Sequence, residues 1–120
     1  MKATAVLVLS GDDESGLVDA ILQLGLSVLI RKTMDQALRA VRHESLAAIV
    51  LDCRQSDVDP LEFVLNVRDM DEKTPIVVMG ESYLSDDDEA LRVVPHMYVL
   101  SRGNTPEQVA KGLAETLEES

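Results

Sequence analysis

Six residues, Ala47-Ala48-Ile49-Val50-Leu51-Asp52, constrain this chain more than any others: an unbroken apolar run that ends on a carboxylate. A run this short, with β-branched residues in it, reads as a strand buried on both faces, as in a parallel sheet covered by helices on either side. Asp52 then stands where the strand leaves the sheet. In open α/β sheets the carboxyl ends of the strands are where ligands and chemistry collect. On these grounds three roles are open to Asp52: a nucleophile, a metal ligand, or the cap of the next turn.

The flanking chain repeats one pattern, strand then helix. Val6-Leu7-Val8-Leu9 is a strand that starts near Ala3 or Thr4, and an acidic turn from Ser10 to Gly16 follows it. Leu17, Val18, Ile21, Leu22 and Leu24 recur at helical spacing, and Gly25 stops that helix. Val28-Leu29-Ile30 is the second strand. Thr33 and Gln36 form a capping box that opens a helix with Met34, Ala37, Leu38 and Val41 inward and Arg39 and Arg42 outside the stripe. Beyond Asp52, Asp59-Pro60-Leu61-Glu62 opens another helix with an acid cap, a proline in the first turn and a glutamate at N3. Leu61, Val64, Leu65 and either Arg68 or Met70 continue its apolar stripe.

Thr74-Pro75 breaks that helix, and Ile76-Val77-Val78-Met79 is the fourth strand. Ser85 caps a short helix whose first turn, Asp86-Asp87-Asp88-Glu89, suits the positive end of the helix dipole. His96 to Leu100 is the fifth strand. Thr105-Pro106-Glu107-Gln108 repeats the cap pattern before a last helix with Val109, Leu113 and Leu117 on one face. Strands alternating with helices at this spacing predict one α/β domain over residues 1–120, a parallel sheet with right-handed crossovers and helices on both faces.

Composition removes several function classes. The formal net charge of −11 argues against a domain that grips nucleic acid, which needs clustered Lys and Arg, and suits basic partners or cations. No apolar run reaches the roughly 18–20 residues that cross a bilayer, so no membrane association is expected. The first residues lack the features of a signal peptide, and the one cysteine, Cys53, fits a reducing compartment; both imply a cytoplasmic location. Gly11 and Gly16 make no phosphate-binding glycine loop, no G-x-S-x-G elbow occurs, and His43 and His96 have no partner at zinc-ligand spacing.

The order of these units resembles the receiver (CheY-like) domain of two-component response regulators, in an atypical, degenerate form. Ile49-Val50-Leu51-Asp52 followed by Asp59-Pro60-Leu61-Glu62-Phe63 is similar to the third strand of that family, its phospho-accepting aspartate and the next helix start. Thr74-Pro75-Ile76-Val77-Val78-Met79 is similar to its fourth strand, and Ser101 to Glu107 to the segment after the fifth. The resemblance implies a flavodoxin-like (βα)5 three-layer sandwich with strand order 2-1-3-4-5. It implies a signalling domain and not an enzyme: Asp52 accepts a phosphoryl group from a sensor histidine kinase or a phosphotransfer protein, and the change alters partner binding.

Carried over position by position, the resemblance assigns Mg²⁺ to Asp12, Asp13, Asp52 and the backbone carbonyl of Arg54, and places Arg102 where receivers carry a lysine that meets the phosphoryl group. Departures accompany these matches. The family's acidic pair falls on Ser10 and Gly11, with Asp12 and Asp13 just after; its hydroxyl position falls on Gly80, which has no side chain; and Glu81 follows. Arg102 keeps the charge, but a planar guanidinium is not interchangeable with an ammonium. Asp12 and Asp13 also suit the cap of the first helix, and Arg102 also suits an ion pair with Asp52 or Glu81. The departures point to an alternative, a phosphorylation-independent pseudo-receiver. It would bind a partner or form a homodimer through the face made by the fourth helix, fifth strand and fifth helix.

Overall fold

A computed structural model describes residues 5–9, 17–52, 59–71, 73–79, 97–100 and 110–115. The elements are β1 (Ala5–Leu9), α1 (Leu17–Leu22), β2 (Ser27–Arg31), α2 (Met34–His43), β3 (Leu46–Asp52), α3 (Pro60–Met70), β4 (Ile76–Met79) and β5 (Met97–Leu100), with a further helical segment at 110–115. The strands form one sheet in the order β2-β1-β3-β4-β5, every pairing parallel.

Each start and stop has a local cause. The Thr33 hydroxyl accepts from the Gln36 N–H at 3.2 Å and caps α2, while the Gln36 side chain reaches past the cap to the Lys32 N–H at 3.4 Å, so the cap forms as predicted but the reciprocal bond falls one residue early. The Asp59 carboxylate accepts from the Leu61 N–H at 3.0 Å, and Pro60 occupies the first turn of α3, where its missing donor costs nothing. Gly25 turns the chain after α1 at φ +84°, a conformation an L side chain resists.

Alternation along the strands divides the core in two. Leu7, Leu9, Ile49, Leu51, Ile76 and Val78 face α2 and α3, where they meet Ala37, Val41, Phe63, Val64 and Val67. Val6, Val8, Ala48, Val50 and Val77 face the other way, onto Ile21 of α1 and Leu113 of the segment at 110–115. The central strands are covered on both sides, as the apolar run through Leu51 requires.

Three residues placed on helical stripes by periodicity lie outward, and so does Met70, which shared its place in the stripe of α3 with the half-buried Arg68. Leu22, Leu24, Leu65 and Met70 are exposed, while Phe63 and Val67 take the inner face of α3. The cause is composition. α3 carries apolar residues over more than half of its circumference, opposite the polar stripe of Glu62, Asn66 and Asp69, so spacing alone does not fix its phase closely, and the helix turns its bulkiest side chain, Phe63, onto the sheet. Leu24 lies past the end of α1, in the turn that closes on Gly25.

Candidate functional site

The sheet order decides where a site can form. The chain passes from β1 through α1 to β2 on one side of β1, then through α2 to β3 on its other side. The segment leaving β1 leads to a helix on one face, and the segment leaving β3 leads to a helix on the other. Between these carboxyl ends lies the topological switch point, where open α/β sheets hold their ligands.

Asp52 stands at that point. Leu9, the last residue of β1, is level with Leu51, so β3 carries Asp52 one residue past the end of its neighbour. On the other side Asp52 pairs with Met79, and Met79 with Leu100, so β3, β4 and β5 finish at one level. Alternation puts Asp52 on the face of Ala48 and Val50, the face that α1 covers. Its side chain is buried, with 0% exposure. A carboxylate held that deeply is tolerated only with compensating donors or cations around it.

The other residues assigned to the site, Asp12, Asp13, Arg54 and Arg102, lie outside the described residues, as do Ser10, Gly11, Cys53, Gly80 and Glu81. What the fold fixes is where their segments are joined: residues 10–16 follow β1, 53–58 follow β3, 80–96 follow β4 and 101–109 follow β5, each beginning at the carboxyl edge that Asp52 occupies. Asp52 is a hard oxygen donor of the type Mg²⁺ selects. Among the described residues, no three His, Cys, Asp or Glu side chains converge, so these residues alone do not make a cation site.

A second aspartate, at the opposite end of the sheet, has a different setting. Asp71 caps the C-terminus of α3, and its Oδ1 accepts from the Lys73 N–H at 2.9 Å and the Thr74 N–H at 3.0 Å. Its Oδ2 takes the Thr74 hydroxyl. The Arg68 guanidinium spans the same turn, donating to the Asp71 carbonyl at 2.9 Å and the Thr74 carbonyl at 2.8 Å. Partial burial pushes the Asp71 carboxyl up, but the Thr74 and Lys73 donors and the charge of Arg68 outweigh it and hold its pKa below the usual value. Burial pulls Arg68 down, and Asp71 opposes that shift. Periodicity left Arg68 as one candidate for the apolar stripe of α3. The Asp71…Thr74 spacing of an Asx-type turn was the available signal.

No family model matches the sequence, and no curated protein matches it. Solved structures share its fold at low identity. The receiver domain of a CheY-like response regulator from Methanospirillum hungatei superposes with a TM-score of 0.81 at 16% identity, over 98% of this chain and 96% of that one. The receiver domain of the sensor histidine kinase PA1611 from Pseudomonas aeruginosa, solved with a magnesium ion in its active-site cleft, gives 0.79 at 18%, over 97% and 98%. A Rhodopirellula baltica structure described as adenylate cyclase gives 0.83 at 10%, over 98% and 89%. This chain shares the fold of these structures, an α/β sandwich around a parallel sheet. Among the described residues, no helix is long and apolar enough to cross a membrane.

Proposed function

We propose that this chain is a receiver-like signalling domain in which Asp52 accepts a phosphoryl group and the change alters binding to a partner. One observation carries the reading: a single aspartate ends the central strand at the topological switch point, with the ends of β1 and β4 on either side of it and that of β5 one strand further along the same edge. A ligand event at that position lies on the edge from which several crossover segments start, which is what a site needs if it is to change a distant surface.

The step balances simply. A carboxylate oxygen of Asp52 attacks the phosphorus of a phosphohistidine on a sensor kinase or phosphotransfer protein, the P–N bond breaks, and the imidazole leaves and takes up a proton. Charge spread over the transferred oxygens calls for cations in place. Arg102 is the proposed phosphoryl partner, and Asp12, Asp13 and the Arg54 carbonyl are the proposed companions of Asp52 at a Mg²⁺ site. Incubation with acetyl phosphate tests the transfer: intact mass rises by one phosphoryl group, and Asp52→Asn abolishes the gain. No gain at any donor concentration would refute it.

A second reading has its own observation, the zero exposure of Asp52. In-line attack needs an oxygen open to the donor, and a closed carboxylate suits a phosphorylation-independent pseudo-receiver in which Arg102 stands in for the cation. Such a domain would work through contacts alone, including a homodimer through the fourth-helix, fifth-strand and fifth-helix face. An unchanged mass with acetyl phosphate, together with dimerisation that Asp52→Asn leaves intact, is its signature.

A further inference from the structure

β2 is an edge strand, and beside its carboxyl half a groove of about 700 Å³ opens against α2. Its floor includes Ile30 and Ala40, and its rim carries Arg31, Lys32, Arg39 and His43 against one acid, Glu44. In a chain with 22 acidic and 11 basic residues, that is a local inversion of charge. Lys32, Arg39 and His43 are exposed, and among the described residues none of them is held in an ion pair. Arg31 folds back along its own strand, its Nη1 donating to the Ile30 carbonyl at 2.8 Å, so its stem lies over the groove while its charge stays within reach.

We infer that this groove docks an extended acidic segment of a partner protein. The outer side of an edge strand offers unpaired backbone groups to an added strand. Gln36 to His43 spans eight residues of helix, about 12 Å at ~1.5 Å per residue, which matches roughly four residues of extended chain at ~3.3 Å each. Carboxylates on alternate residues of such a segment fall to one side, and Lys32 and Arg39, which both line the groove, supply the charges to meet them. Charge complementarity selects the occupant. A nucleic acid or anionic membrane would meet the repulsion of the whole acidic surface, whereas a short acidic peptide engages the groove within a Debye length of ~8 Å at physiological salt. The site lies on the β2–α2 side of the fold and does not depend on the chemistry of Asp52.

The test is titration of the full chain with a hexaglutamate peptide, followed by amide NMR. Saturable shifts confined to residues 30–44, and about a tenfold weaker affinity in a Lys32→Glu/Arg39→Glu variant, are expected. Both positions are exposed, so an unchanged amide spectrum elsewhere shows that the variant is folded. Equal affinity in the variant, shifts on another face, equally tight shifts from inorganic phosphate, or self-association through this groove without peptide would each overturn the assignment.

Discussion

The two ends of the sheet each hold an aspartate, and the two are held by different means. At the amino end, Asp71 is satisfied by its own turn. Its donors lie within three residues along the chain, and Arg68, one turn back on the same helix, clamps the carbonyls. At the carboxyl end, Asp52 is fully buried at the tip of a strand, and the chain segments that depart from that edge are far apart in sequence. A carboxylate fixed by local hydrogen bonds serves the turn that contains it. One placed by the topology of the whole sheet depends on several segments together, and a change there has somewhere to travel.

The two ends share α3, which starts at Asp59 beside the carboxyl edge and ends at Asp71. Removing its main anchor should therefore disturb both. Phe63→Ala is expected to cost about 3–5 kcal/mol in denaturant unfolding, the range for a buried aromatic truncated in a packed core, and to move amides near both aspartates. Shifts at only one end would show that α3 does not couple them.

Asp71→Ala should cost about 1–3 kcal/mol, because Thr74, only 9% exposed, loses its hydroxyl and amide acceptor together. Asp52→Asn should act in the opposite sense and raise stability by about 1 kcal/mol, since an amide of the same shape removes a buried charge kept for function. If Asp52 instead balances Arg102 in a closed pair, the same substitution costs about 3–5 kcal/mol. The sign of that one number separates the two functional readings.

The smallest effect is in acid. The Asp71 pKa is held below its usual value, so its contribution is complete above that value, about pH 4, and is lost as pH falls through the lowered folded-state pKa. The difference in thermal midpoint between the native chain and Asp71→Asn should shrink below about pH 4. A difference that persists in stronger acid would place the stabilisation elsewhere.

Much of this architecture was legible in the residues. The apolar run through Leu51, the Thr33 cap, the Asp59–Pro60 start and the Gly25 stop are local signals whose causes lie within a few residues, and each has its counterpart in the structure. The phase of α3 was legible only in part: Leu61 and Val64 pack on the core as their spacing predicts, but Leu65 and Met70 compete with Phe63 and Val67 for the inner face and the sheet makes the choice. The groove was not legible either. Arg39 looked like an outward helix residue and His43 like a histidine without a ligand partner, and only the crossing of β2 and α2 brings them beside Arg31 and Lys32. Of the site, sequence located Asp52 at a strand end, and the parallel register then placed it one residue beyond β1. Strand order entered with the family resemblance, since apolar periodicity does not say which strands are neighbours.

The most direct measurement is titration of the chain with Mg²⁺ and BeF₃⁻, a phosphoryl mimic, followed by amide NMR. Saturable shifts that begin at Asp52 and extend into the segments after β1, β4 and β5, and that vanish in Asp52→Asn, are expected. A spectrum that does not change, or one that changes equally in the Asn variant, would contradict the receiver-like reading.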